Sequence, residues 1–204
     1  MVDESVRRAM ERWPDVPPTF GWLALNRRGQ WLLEGDKRIT HHRTVDFIGR
    51  NYLCDEDGRW YFQNGPQKVV VKLDYTPWVV RLQGDMAPGE PGSLVTHTGV
   101  EVSRLHSAWL DEEGSMLVET DAGIALVEDR DLPAMTGALV AADGQPLDDS
   151  TLPQALERFM AEPGAEPVFL RYGEPTIPLQ MINRGEVAQR FGFVPDPQPT
   201  TRSR

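Results

Sequence analysis

Apolar positions along this chain recur mostly with the period of a pleated strand. The strongest run is residues 58–82, GRWYFQNGPQKVVVKLDYTPWVVRL. Trp60-Tyr61-Phe62 and Val69-Val70-Val71 are aromatic and β-branched, the types that fit a pleated surface. Asn64-Gly65 between them tolerates the positive φ of a tight hairpin, and Pro66 belongs at the turn because it has no N–H for a ladder. Val69, Val71 and Leu73 fall on one face, with Lys68 and Lys72 as polar breaks. Val70 blurs the alternation, so both faces are expected to be partly covered. Asp74-Tyr75-Thr76-Pro77 predicts a turn into a third arm, 78–82. The simplest solution is a three-strand antiparallel meander.

The same grammar reads along the rest of the chain. Residues 5–13 predict a short amphipathic helix with Val6, Met10 and Trp13 on one face, stopped by Pro14, Pro17 and Pro18. Residues 21–34 predict a hairpin around Arg27-Arg28-Gly29. Thr40 reads as an N-cap for a helix over 41–53, with Val45, Ile48 and Tyr52 as its buried stripe. Hairpins follow around Thr98-Gly99, Asp121-Ala122-Gly123 and 172–175. Leu152, Ala155, Leu156, Phe159 and Met160 mark a helix started by Ser150 and Pro153. A short helix is expected over 183–191.

Three segments, 60–77, 116–133 and 168–183, each give strand, turn, strand and polar bend. The first two follow an acidic turn ending in glycine, at Gly58 and Gly114. Such spacing is either a structural repeat or the ordinary likeness of hairpins. The expected fold is α+β: two small units of antiparallel hairpins and meanders, each packed by a helix. The boundaries read as a helix and Pro-rich linker over 1–19, a Trp-rich unit over 20–83 and a Gly/Pro linker over 84–93. An acidic unit over 94–193 and a disordered tail over 194–204 complete the chain.

Charge sharpens this division. The net charge is −10, but residues 1–80 carry 12 Lys+Arg against 11 Asp+Glu and the remainder 9 against 20. A broad nucleic-acid surface is therefore not expected. Cys54 is the single cysteine, so no intrachain disulfide can form and a reducing, cytoplasmic setting is the plain reading. No apolar run is long enough for a membrane span or a signal peptide.

The candidate chemistry is thin. His41-His42 lies at a helix start, but adjacent helical residues point about 100° apart and no metal-ligand spacing accompanies them. No metal or other cofactor is expected. A hydrolase or transferase using His41 or His42 with Asp46 or Asp57 is the catalytic alternative. Cys54 reads as a buried or edge thiol, since a helix would hold it roughly 18 Å from His42. The tryptophans are more informative: Trp22, Trp31, Trp60 and Trp78 all fall on predicted strands. They are either core or the lining of an aromatic groove with Arg27, Arg28, Arg50, Arg59, Lys68 and Lys72 at its rim. The candidate binding set is therefore Trp22, Trp31, His41, His42, Arg50, Arg59, Trp60, Lys68 and Trp78. The expected partner is a protein or a small ligand, with self-association through a hairpin edge as a further reading.

The runs GWLALNRRGQWLLEGDKRI, VDFIGRNYL and DEDGRWYFQNGPQKVVVKLDYTPWVV together resemble a family of proteobacterial proteins of unknown function. They are also similar in pattern to a second uncharacterised family, whose members carry D-G-x-W, a strand, G-x-P-I, a helix, then D-G-x-Y-x-L-x-T-P. The second likeness implies a two-domain α+β fold with repeated hairpins, and a regulatory or signal-transduction role. This chain departs from it at Gln63-Asn64-Gly65-Pro66, where that family has a Thr-Pro turn. The resemblance covers residues 21–82 and implies no catalytic residues.

Overall fold

The structure is a computed structural model that describes residues 2–84, 92–162, 166–173 and 175–199. The chain divides into two compact units. One comprises Met1–Pro77, His97–Gly99 and Ala188–Arg204; the other comprises Trp78–Thr96 and Val100–Val187. The fold class is α+β, as the sequence predicts, but the pairing is not purely antiparallel.

The first unit is built on a six-stranded sheet. Its strands are β1 (Thr19–Leu25), β2 (Trp31–Leu33), β3 (Lys37–Arg38), β4 (Tyr52–Cys54), β5 (Trp60–Asn64) and β6 (Gln67–Leu73), with helices α1 (Glu4–Arg12) and α2 (His42–Arg50). β1 and β6 run parallel at the centre, with Leu23 opposite Val71 and Leu25 opposite Leu73. Trp31 lies opposite Leu25 on the next strand. These positions share one face by the period-two rule, and all are buried. Full burial of each such side chain contributes about 1.5–3 kcal/mol. The adjacent pair, Ala24 opposite Lys72, falls on the other face, where Lys72 is exposed.

The second unit holds an eight-stranded sheet. Its strands are β7 (Trp78–Gln83), β8 (Ser93–Thr96), β9 (Leu105–Asp111), β10 (Met116–Thr120), β11 (Gly123–Val127), β12 (Leu139–Val140), β13 (Phe169–Leu170) and β14 (Ile177–Ile182). Helices α3 (Leu132–Thr136) and α4 (Leu152–Ala161) belong to it, and α5 (Arg184–Phe191) follows β14. Met116, Val118, Ala125, Leu139 and Leu170 lie in one buried cluster that also takes Phe159 of α4. The Tyr172 hydroxyl accepts the Leu94 N–H at 3.0 Å, tying the β13–β14 turn to β8.

The self-similarity in the sequence is a repeat of strand order. In the first sheet the neighbours run β2-β1-β6-β5-β4, with the β1–β6 contact parallel. In the second they run β8-β7-β11-β10-β9, with β7–β11 parallel. The second sheet contains the order again as β10-β9-β14-β13-β12, with β9–β14 parallel. Each instance is a hairpin followed by a three-strand meander, whose last strand lies parallel to the hairpin's first.

One turn recurs within these hairpins. In Asn26–Gln30, Asp55–Arg59, Asp111–Ser115 and Ala141–Gln145, the first residue's N–H donates to the fifth's carbonyl. The glycine N–H at the fourth place donates back to the first residue's carbonyl. Gly29, Gly58, Gly114 and Gly144 all sit at φ between +69° and +80°, the left-handed region that a side chain disfavours. In the first three turns the leading Asn or Asp Oδ1 also accepts the third and fifth N–H groups, an Asx lock.

Five expectations are corrected. The third arm, Trp78–Gln83, is not a neighbour of β6: it pairs parallel with β11 and antiparallel with β8. The second unit therefore begins at Trp78 rather than after the Gly/Pro stretch 84–93, of which 85–91 lie outside the described residues. A parallel partner can be supplied from far along the chain, and no local pattern reports it. The helix expected over 41–53 ends at Arg50, and Tyr52–Cys54 is a strand pairing with β5. Its N-cap is His41 rather than Thr40. Residues 194–199 of the expected disordered tail are held against the first sheet: Val194 N–H donates to the Gly58 carbonyl and Leu73 N–H to the Pro195 carbonyl. Residues 200–204 lie outside the described residues.

Candidate functional site

The four strand tryptophans are not brought together. Trp31 is core, 1% exposed. Its ring meets Tyr52 edge-on at 5.1 Å and His97 at 5.2 Å, and Trp60 lies against Tyr52 at 4.8 Å. Burial pushes the Tyr52 phenol well above its ordinary pKa, and its hydroxyl donates to the Pro77 carbonyl at 3.1 Å. This cluster is packing. Trp78 sits in the other unit, half-buried, its indole 3.7 Å from where a Cβ on Gly123 would stand.

Trp22 is different: it is 52% exposed. Gly21, at φ +77°, lies where β1 loses register between Thr19 and Leu23. A bulge of this kind re-aims the strand's side chains. Trp22 lines a groove of about 280 Å³ in the first unit, with Phe20, Ala24, Gly35, Val70 and Lys72 on the sheet side. Asp196, Pro197, Gln198 and Pro199 line it from the C-terminal segment. Lys72 Nζ reaches Asp196 Oδ2 at 3.2 Å, with both side chains more than half exposed.

The other predicted binding residues have local engagements. Arg50 pairs with Asp3 at 3.3 Å, and this guanidinium is the first cause that lowers the Asp3 carboxyl. Arg59 reaches Asp55 at 2.9 Å and Asp57 at 2.7 Å, clamping the turn between β4 and β5. At Asp55, burial works to raise the pKa, but the N–H and guanidinium of Arg59 outweigh it and the net shift is down. Lys68 lies over the Tyr61 ring at 4.6 Å. None of these three side chains lines the groove.

The catalytic alternative finds no assembled machinery at its named residues. His41 Nδ1 is 3.3 Å from Thr44 Oγ1, and the two imidazoles stack at 5.4 Å. Neither contact is to a carboxylate, and Asp57 is engaged by Arg59. The stacking departs from the expected divergence because His41 is a cap residue in extended conformation, not a helical one. Cys54 is exposed, with its thiol pushed up first by burial and then by the Asp55 charge, the reverse of an activated nucleophile. Among the described residues no group of three His, Cys, Asp or Glu could hold a metal ion.

The second unit carries a cluster the sequence reading missed. Asp121 accepts the Ser103 hydroxyl and lies 2.8 Å from His106 Nε2. Those two bonds, the serine's first, hold its carboxyl below the usual range. His106, Arg104, Ser93 and Tyr172 line a cleft of about 650 Å³. The arrangement is not a nucleophile relay, because the serine donates to the carboxylate rather than to the imidazole. Nothing local in the sequence links residue 121 to 103 and 106. The β9–β10 pairing brings them together, setting Thr120 opposite Leu105. Among the described residues no helix is long and apolar enough to cross a membrane.

A family model described as "Protein of unknown function (DUF2946)" matches residues 2–198. No curated protein matches. Two solved structures are similar. A DUF1285 family protein from Silicibacter pomeroyi DSS-3 shares 19% identity over 85% of this chain and 87% of that one, with a TM-score of 0.45. A DUF1285 family protein from Shewanella baltica OS155 shares 14% identity over 54% of this chain and 87% of that one, with a TM-score of 0.41. The resemblance drawn from residues 21–82 holds at the level of the family, and the chain belongs to this family of proteins of unknown function, DUF2944/DUF2946.

Proposed function

We propose that this protein is a noncatalytic, cytoplasmic binding module of a regulatory kind, and that its ligand face is the groove beside Trp22. The observation that carries the reading is the 52% exposure of Trp22 in a concave site that also holds Lys72. An exposed indole gives a large rigid contact at low entropic cost, and aromatics of this kind dominate binding energy. The lysine adds a point charge for orientation. The groove is small and open on the sheet face, which suits an extended segment of a partner protein. A single cysteine fits a reducing compartment.

Self-association through a hairpin edge is the weaker partner reading. Of the four edge strands, β3 and β12 are two residues long, β4 three and β8 four, which leaves little ladder for another chain.

The test is selection from a random-peptide display library on the immobilised full chain, counter-screened with Trp22→Ala. Enriched peptides are expected to lose at least tenfold in affinity on that substitution. Peptides that bind the two proteins equally, or a library that yields none, contradict the assignment.

A further inference from the structure

We propose that the sheet face beside Trp22 takes an extended, proline-containing peptide with an acidic residue, and that the chain's own Val194–Pro199 segment, which forms the far wall of the groove, covers part of that face as an intramolecular competitor. This rests on the binding reading above and names its partner class.

The segment reads Val-Pro-Asp-Pro-Gln-Pro. A proline at every second position forces the preceding residues Val194, Asp196 and Gln198 toward extended backbone. Such a backbone is stiff and makes no regular backbone–backbone hydrogen bonds of its own; here the Gln198 side-chain amide donates to Asp196 Oδ1 at 3.1 Å. It is held accordingly: Pro195 offers its carbonyl to Leu73 N–H at 2.7 Å, and Asp196 meets Lys72 at 3.2 Å. Pro197, Gln198 and Pro199 then line the groove together with Trp22. A preformed proline-rich strand against an aromatic surface is a recurring way to recognise peptides, because little ordering entropy is lost. The chain thus displays the chemistry its groove accepts.

The contact is also built to yield. The Lys72–Asp196 pair is more than half exposed at both ends, and exposed pairs are weak latches. A partner segment with the same features competes for the same lysine and the same indole.

The experiment titrates a fluorescein-labelled Val-Pro-Asp-Pro-Gln-Pro peptide with three full-length proteins: wild type, Asp196→Lys, and the charge swap Lys72→Asp with Asp196→Lys. Both exchanged side chains are on the surface, so folding is retained. Asp196→Lys sets two lysines against each other and uncovers the sheet face beside Trp22. A tethered segment competes at an effective concentration on the order of millimolar, so this variant is expected to bind the probe about tenfold tighter than wild type. Adding Trp22→Ala removes the gain. The charge swap restores the latch and brings binding back to the weak wild-type level. The proposal is overturned if Asp196→Lys binds no tighter than wild type, or if a Val-Pro-Lys-Pro-Gln-Pro probe binds that variant equally well. Trp22-dependent binding of library peptides without proline or acid would overturn it while leaving the binding function standing. An absence of any Trp22-dependent peptide would remove both.

Discussion

Gly58→Ala tests the account of the repeated turn at the place where it carries most weight. Gly58 and Gly114 occupy the same position of the same turn, at φ +77° and +79°. Any alanine there adopts a left-handed conformation, which costs roughly 1–2 kcal/mol. Their surroundings differ. A Cβ on Gly114 would meet nothing within 4 Å. A Cβ on Gly58 would stand 2.4 Å from the Gly192 carbonyl oxygen and 3.2 Å from the Phe193 Cα, both backbone atoms that cannot rotate away. Forcing a methyl group into such a space adds about 1–3 kcal/mol. It also strains the Val194–Gly58 hydrogen bond of 2.9 Å that seats the C-terminal segment. The expected losses are therefore about 1–2 kcal/mol for Gly114→Ala and about 2–5 kcal/mol for Gly58→Ala. Urea unfolding followed by far-UV circular dichroism reads both, each taken from the transition of the unit that carries the substitution. Equal losses at the two glycines would refute the claim that the C-terminal segment closes over the β4–β5 turn.

Further outcomes follow from the same structure. Trp31→Ala empties the first unit's core and should cost about 3–5 kcal/mol. Trp31→Phe should cost much less, because it also removes a buried indole N–H that has no hydrogen-bond partner among the described residues; equal costs would contradict this. Asp148 starts the turn into α4, accepting the N–H and hydroxyl groups of Ser150 and Thr151. These bonds, Ser150's hydroxyl first, bring its pKa down to about 2. Its stabilisation is present above the unfolded value near 4 and is lost as pH falls toward 2. The gap in urea midpoint between wild type and Asp148→Ala should therefore be wide at pH 6 and much narrower at pH 2; a gap unchanged by pH would count against it. The Cys54 thiol, raised by burial and Asp55, should alkylate with iodoacetamide at neutral pH more slowly than a free-cysteine peptide. A faster rate would sink that reading.

Much local structure was legible where it depends on near neighbours, although the helix end at Arg50 and the strand Tyr52–Cys54 after it were not. The hairpins β5–β6 and β10–β11 follow from strand period and turn residues, and the α4 stripe of Leu152, Leu156 and Phe159 from helical spacing. The acidic turns at Gly58 and Gly114 were visible. Their kinship with Asn26–Gln30 shows once D/N-x-x-G-x is taken as the unit, because one side-chain oxygen and one left-handed glycine make the turn. Parallel pairing was not legible. β1 and β6 meet across more than forty residues, and Trp78–Val80 found β11 instead of the strand just before it. The same limit governs the site. Trp22 and Trp31 are equivalent in sequence, each on a short strand of one hairpin. Trp22 shares the face of Ala24 and Lys72, while Trp31 lies opposite Leu25 on the buried face, and that pairing separates an exposed indole from a buried one. The tail was misread because its prolines signal stiffness as readily as disorder, and the Leu73 N–H that receives it is far away in sequence.

The central claim is that ligand meets this protein at Trp22. Its most direct measurement is the indole N–H resonance of each tryptophan in an ¹H–¹⁵N correlation spectrum, with Trp22 assigned by Trp22→Phe, as a library-selected peptide is added. The account predicts that the Trp22 signal shifts in a saturable way while that of the buried Trp31 stays in place. A peptide that binds and moves other tryptophan signals while Trp22 remains still would contradict it.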